Sequence, residues 1–188
     1  MKKSVLIFIV LAVFALLTAC SDDGKALDAN SPENAMIENV QAVYENDGTV
    51  TVSFDHVKQS GWASNQFAIW IEDANGNYVR TLYATRFTAN GGYKNRPESL
   101  SEWVTRSNLA EKEKAQTDAI TSATPSSGRL SYVWDLTDVN GETVAAGEYR
   151  FFAEGNLRWS NRVLYSGVIK IGGEAATSEA IAEYFYAN

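Results

Sequence analysis

The chain has 188 residues, 45% of them hydrophobic and 21% charged, the balance of a folded soluble protein with room for one ordinary domain and a leader. Collagen, coiled coil and wholesale disorder are excluded. The formal net charge of −7 argues against nucleic acid as a partner, because phosphates demand a basic patch.

Residues 1–19 read as a targeting segment. Lys2 and Lys3 form its basic start, and Val5 to Leu17 forms an apolar run, shorter than the roughly twenty residues that span a bilayer as a helix. The run closes on Leu17-Thr18-Ala19-Cys20, which resembles the lipobox of bacterial lipoproteins. That resemblance implies cleavage before Cys20, lipid on its sulfur, and an exported cell-envelope protein that is periplasmic or surface-facing and held at the membrane by its lipid. Losing residues 1–19 removes two lysines and no acids, so the charge moves from −7 to −9. Cys20 is the only cysteine; once lipidated, it leaves no disulfide, thiolate cluster or cysteine nucleophile. His56 is the only histidine, which excludes a histidine-rich metal site or bis-histidine haem within one chain. In Phe54-Asp55-His56-Val57 it reads as an ordinary strand-end histidine.

Residues 20–35 are rich in Asp, Asn, Ser and Gly and cannot bury enough apolar area to fold, so they form a tether. From residue 36 the signal has period two. Ile37 to Tyr44 makes a first strand, and Thr49-Val50-Thr51-Val52-Ser53-Phe54 alternates as a half-buried strand does. Phe67 to Glu72 and Tyr78 to Tyr83 flank Asp73-Ala74-Asn75-Gly76-Asn77, an Asn-Gly hairpin. Leu130 to Trp134, a turn at Asp138-Val139-Asn140-Gly141, and Gly147 to Phe152 make a second antiparallel unit. A bend at Gly155-Asn156 precedes a strand from Arg162 to Ile171.

About seven strands in residues 36–173 predict an all-β protein, an immunoglobulin-like β-sandwich with one long, partly helical loop insertion at 85–127. Trp134-Asp135 through Asp138, Gly141, Gly147 and Tyr149 resembles the strand-turn-strand signature of bacterial immunoglobulin-like modules, such as the sandwich domain of the flagellar hook-cap protein. Residues 36–173 also resemble a family of bacterial periplasmic proteins of unassigned function, through Gly91-Gly92-Tyr93-Lys94, the Ser-Ala-Thr loop and Trp134-Asp135. The tail at 174–188, with Tyr184, Phe185 and Tyr186, is open between a last strand and a frayed end.

A forty-residue irregular stretch inside a compact domain points to function. Ser99-Leu100-Ser101-Glu102 has the form of a capping box, which predicts a short helix over Leu100 to Ser107 that carries Trp103 toward the core. Glu111 to Lys114 reads as a solvated helical face.

The insertion ends in Asp118-Ala119-Ile120-Thr121-Ser122-Ala123-Thr124-Pro125. Asp, two free positions, Ser or Thr, Gly or Ser, Ala, Thr resembles the recognition sequence of the bacterial FAD:protein FMN transferase, found in the FMN subunits of the sodium-pumping quinone reductase and their relatives. The resemblance implies covalent FMN, through a phosphoester, on Thr124, with Asp118, Thr121, Ser122 and Ala123 as transferase recognition residues. Ser122 stands where glycine is commoner. A threonine hydroxyl must enter another enzyme's site to meet an activated phosphate, so small neighbours suit it. Outside the cytoplasm a covalent flavin cannot be diluted away.

Trp70 and Trp134 read as core. Trp103 and Trp159 are the candidate flavin-stacking residues, and Arg96, Arg158 and Arg162 are candidates for the FMN phosphate. The expected function is that of an extracytoplasmic, lipid-anchored flavin electron carrier that works between a membrane redox donor and an extracytoplasmic acceptor. The alternatives are a cofactor-free immunoglobulin-like binding or structural lipoprotein, and a flavin enzyme with its own pocket beside Thr124. No catalytic residue and no metal ligand is nominated.

Overall fold

The computed structural model describes residues 36–61, 64–111, 121–157 and 161–186. The leader, Cys20 and the tether, together with Lys112 to Lys114, Asp118, Arg158 and Trp159, lie outside the described residues.

Alternation builds the first hairpin, β1 (Ile37–Glu45) with β2 (Thr49–His56). Val50, Val52 and Phe54 point inward and are fully buried. The Asn-Gly hairpin joins β3 (Gln66–Asp73) to β4 (Tyr78–Thr85). Gly76 takes φ 83° there, and the Asp73 carboxylate accepts from the N–H groups of Asn75 and Asn77. The remaining strands are β5 (Thr121–Ser122), β6 (Gly128–Trp134), β7 (Gly147–Asn156), β8 (Asn161–Ile171), β9 (Ala176–Glu179) and β10 (Ile181–Tyr186).

Two sheets result, one in the order β6-β2-β1-β9 and the other β10-β8-β7-β3-β4-β5. The part β1-β2-β6 facing β4-β3-β7-β8 is the immunoglobulin-like arrangement, and the all-β sandwich expected from the sequence is the fold. The Tyr149 hydroxyl donates to the Ala145 carbonyl at 2.8 Å, a tyrosine corner at the start of β7.

Four local expectations change. First, β6 and β7 do not form a two-stranded unit, because β6 pairs with β2 while β7 pairs with β3 and β8. The segment between them crosses the sandwich, with Trp134 Nε1 donating to the Thr137 carbonyl at 2.8 Å. Second, β7 runs straight through Gly155-Asn156, where Gly155 pairs with both Phe67 and Val163. A glycine sits there because a Cβ would come within 2.9 Å of the Ile37 side chain. Third, the tail supplies an edge strand to each sheet, β9 on β1 and β10 on β8, so the sandwich continues past residue 173.

The fourth change lies in the insertion. Among the described residues it holds two short α-helices, α1 (Arg86–Ala89) and α2 (Ser101–Arg106), with 3-10 turns at Gly92–Lys94 and Leu109–Glu111. The capping box does not form: the Ser99 hydroxyl is buried against Thr88 Oγ1 at 2.6 Å, and Leu100 holds the cap position at φ 53°. Glu154 of β7 supplies the acceptors instead, taking the N–H of Trp103 at 2.9 Å and that of Glu102 at 3.3 Å. Glu102 turns to Arg106, at 3.1 Å.

The insertion explains why β3 is apolar on both faces. Phe67, Ile69 and Ile71 face the space between the sheets with Phe54, Trp134 and Phe151. Ala68 and Trp70 face outward, where Leu100, Trp103 and Leu109 cover them. Trp70 stacks on Phe152 at 4.9 Å and donates to Glu72 at 2.8 Å. Arg106 pairs with the buried Glu72 at 3.0 Å, which ties α2 to the sheet.

Candidate loop at one end of the sandwich

The described part of the motif starts at a strand, β5. β5 lies parallel to β4, pairing Thr121 with Ala84 and Ser122 with Thr85. The chain then leaves the edge of the six-stranded sheet and enters β6 at the edge of the other sheet, so 123–127 bridges the two layers. Three contacts fasten this bridge. The Tyr83 hydroxyl donates to the Ala123 carbonyl at 3.0 Å. His56 Nδ1 lies 3.2 Å from the Ser126 carbonyl, and the Lys58 N–H donates to Ser127 Oγ at 2.9 Å.

Thr124 and Pro125 are half-buried, whereas Ser122, Ala123, Ser126 and Ser127 are exposed. The structure thus brings Thr121, Ser122, Ala123 and Thr124 together on one short, outward segment of small residues. Beneath it lies an aromatic floor drawn from both sheets. Tyr83 stacks on Phe67 with centroids at 4.9 Å and tilts against Tyr132 at 4.7 Å, and Phe67 meets His56 at 5.2 Å and Phe54 at 5.4 Å.

Burial sets the electrostatics. Desolvation pushes the Tyr83 phenol above its ordinary range, and pushes Tyr132 up much further, helped by its neighbour Tyr83. Desolvation also holds His56 below its usual value, against the Ser126 carbonyl, which favours its proton. Both phenols and the imidazole are therefore neutral near pH 7. Among the described residues, two exposed basic ones adjoin the loop: Lys58 follows β2 and Arg86 opens α1. Asp55, the nearest acid on β2, is engaged by Arg129 at 3.2 Å.

Three of the candidate flavin contacts, Trp103, Arg96 and Arg162, fall elsewhere. Trp103 is fully buried under α2, donating Nε1–H to Thr81 Oγ1 at 2.7 Å, so it is a core residue and not an open stacking face. Arg96 is 5% exposed and its guanidinium is bound to Asn156 Oδ1; it anchors the insertion to β7 and presents no fork to solvent. Arg162 is occupied by α2, bonded to Ser101 Oγ and 3.6 Å from Glu154. Arg158 and Trp159 lie outside the described residues.

Sequence reading missed Tyr83, His56 and Lys58 as loop supports. Each lies some forty to seventy residues from its partner, and no periodicity or motif signals a bond between a strand side chain and a distant carbonyl.

The geometry defines a class: an immunoglobulin-like sandwich that carries a fastened, hydroxyl-bearing loop between its sheets. Residues 47–186 match the sequence model of the family described as "Predicted periplasmic protein (DUF2271)", and the chain belongs to that family. It is a protein of the periplasmic, exported kind by that description. No curated protein and no solved structure matches the chain.

Proposed function

We propose that this protein is a lipid-anchored periplasmic electron carrier whose FMN is joined through a phosphoester to Thr124. The observation that carries the reading is the run Asp118 to Thr124 ending in a half-buried threonine among small exposed residues. The run is compatible with the group: no acid lies between Thr121 and Arg129, and two exposed basic residues adjoin the loop, Lys58, whose N–H donates to Ser127, and Arg86, which follows the pairing of Thr85 with Ser122, a charge that suits a phosphate.

Attachment is a transfer from FAD. The Thr124 Oγ bonds to the FMN phosphorus, the pyrophosphate P–O bond breaks, AMP departs, and the hydroxyl proton passes to a base of the transferase. Bound flavin supplies reversible electron transfer. The chain holds it at the end of a rigid sandwich, near neutral aromatic side chains and a basic rim, and Cys20 with its lipid keeps the assembly at the membrane beside a redox donor.

Co-expression with an active FAD:protein FMN transferase tests this. Intact mass of the wild type should rise by one FMN less one water, and the added mass and flavin fluorescence should vanish in Thr124→Ala. If the wild type gains no flavin while another target in the same cells does, the carrier reading fails and the cofactor-free binding module takes its place.

A further inference from the structure

The first turn after β4 is held by a buried network of hydroxyl and amide groups. Thr85 Oγ1 donates to the buried Gln66 Oε1 at 2.7 Å and accepts from the Phe67 N–H at 3.2 Å. Thr88 reaches the same Gln66 oxygen through its hydroxyl at 3.3 Å and meets Ser99 at 2.6 Å. Thr85, Thr88 and Ser99 are fully buried. Such a satisfied polar network fixes geometry more than it adds stability. What it fixes is α1, four residues that bury Thr88 and Ala89 and leave Phe87 46% exposed.

The Phe87 ring has a built seat. A Cβ at position 92 would fall 2.6 Å from a ring carbon and 2.5 Å from the Phe87 carbonyl, so the ring lies against Gly92, where only hydrogen fits. The seat is beside the motif. β4 and β5 run parallel, with Thr85 beside Ser122 as their last pair, so the chains toward Phe87 and toward Thr124 leave neighbouring strands at the same end of the sheet and in the same direction. α1 lies against β5.

We propose that Phe87 supplies the aromatic face on which the isoalloxazine ring of Thr124-linked FMN packs, a proposal that rests on the flavin reading above. A flavin ring is an extended π-surface, and a phenyl ring fixed before the ligand arrives offers stacking without ordering cost. Its flexible ribityl chain lets a flavin tethered at Thr124 swing to a neighbour at the same end of the sheet. Trp103 cannot serve, being sealed beneath α2.

The test uses flavin-loaded protein, with loading first measured by intact mass. Phe87→Ala and Phe87→Leu should load as the wild type does, yet give several-fold brighter flavin fluorescence, easier quenching by iodide and a weaker visible circular dichroism band. Phe87→Trp should restore the quenching and the band. Leucine keeps the apolar bulk over Gly92, so a merely structural role would leave Phe87→Leu like the wild type, and that result overturns the proposal. Equal fluorescence and dichroism in loaded wild type and Phe87→Ala also overturn it while leaving the flavin reading intact. A wild type that never gains the FMN mass overturns both.

Discussion

The Tyr83 hydroxyl donates to the carbonyl of Ala123 at 3.0 Å, joining an aromatic residue of β4 to the residue just before Thr124. A phenol in the core thereby sets where the motif loop lies. Its ring also stacks on Phe67 and leans on Tyr132, so the loop is supported by side chains of both sheets.

Tyr83→Phe keeps that stacking and removes only the bond. It should cost about 0.5–1.5 kcal/mol of stability and accelerate amide exchange in residues 121–127, read by mass spectrometry of peptides covering the loop. Unchanged exchange there would show that β5 pairing and the contacts from His56 and Lys58 hold the loop without Tyr83.

Asp118 and Thr121 separate recognition from attachment. Asp118→Ala should greatly lower FMN loading with an unchanged melting temperature, because the aspartate is read as a transferase contact. Thr121→Ala should still carry flavin on Thr124, located by peptide mapping. Flavin that follows Thr121 would shift the attachment site by three positions and refute the Thr124 assignment.

Cys20 tests the anchor. Cys20→Ser should either release a soluble domain or block maturation, as seen in the membrane and soluble fractions. A single acyl chain binds a membrane only marginally, so stable retention takes more than one chain. Continued detergent-requiring membrane association of the serine variant would remove the lipid from the account.

Glu154 predicts a pH dependence. Fully buried on β7, its carboxyl is pushed up to about 7 by desolvation, against the Trp103 and Glu102 N–H groups and Arg162, which favour the charge, and with Glu102 opposing it. Between its ordinary value of 4.5 and about 7 the folded chain holds a proton that the unfolded chain releases. Stability from this group is therefore present at lower pH and lost as pH rises through that window, by at most about 1.4 kcal/mol per pH unit. His56 has the opposite sign: burial lowers it from 6.5, so its contribution is lost as pH falls below 6.5. Thermal melts of the wild type and Glu154→Gln between pH 4.5 and 7.5 isolate the first effect. The wild type should lose melting temperature relative to the variant as pH rises, and parallel curves would mean that Glu154 is charged throughout.

The elements legible in the sequence are those written in neighbouring residues. Alternation in Thr49 to Phe54 places β2 and Asn75-Gly76 places the hairpin, because side-chain direction alternates within a strand whatever lies across from it. The motif Asp118 to Thr124 is local in the same way. Tertiary structure alone decided how strands are shared between sheets, sending β6 to β2 and β7 to β3, since pairing depends on partners that no short window contains. It gave the start of α2 to Glu154 and left the Ser99 capping box unused, because a buried carboxylate some fifty residues on meets both N–H groups. It sealed Trp103 inside and left Phe87 half-exposed beside the loop: hydrophobicity drives both inward to a similar degree, and which one finds cover depends on the path of the whole chain. It buried Arg96 as well, where Asn156 takes its guanidinium, a partner that no neighbouring residue announces.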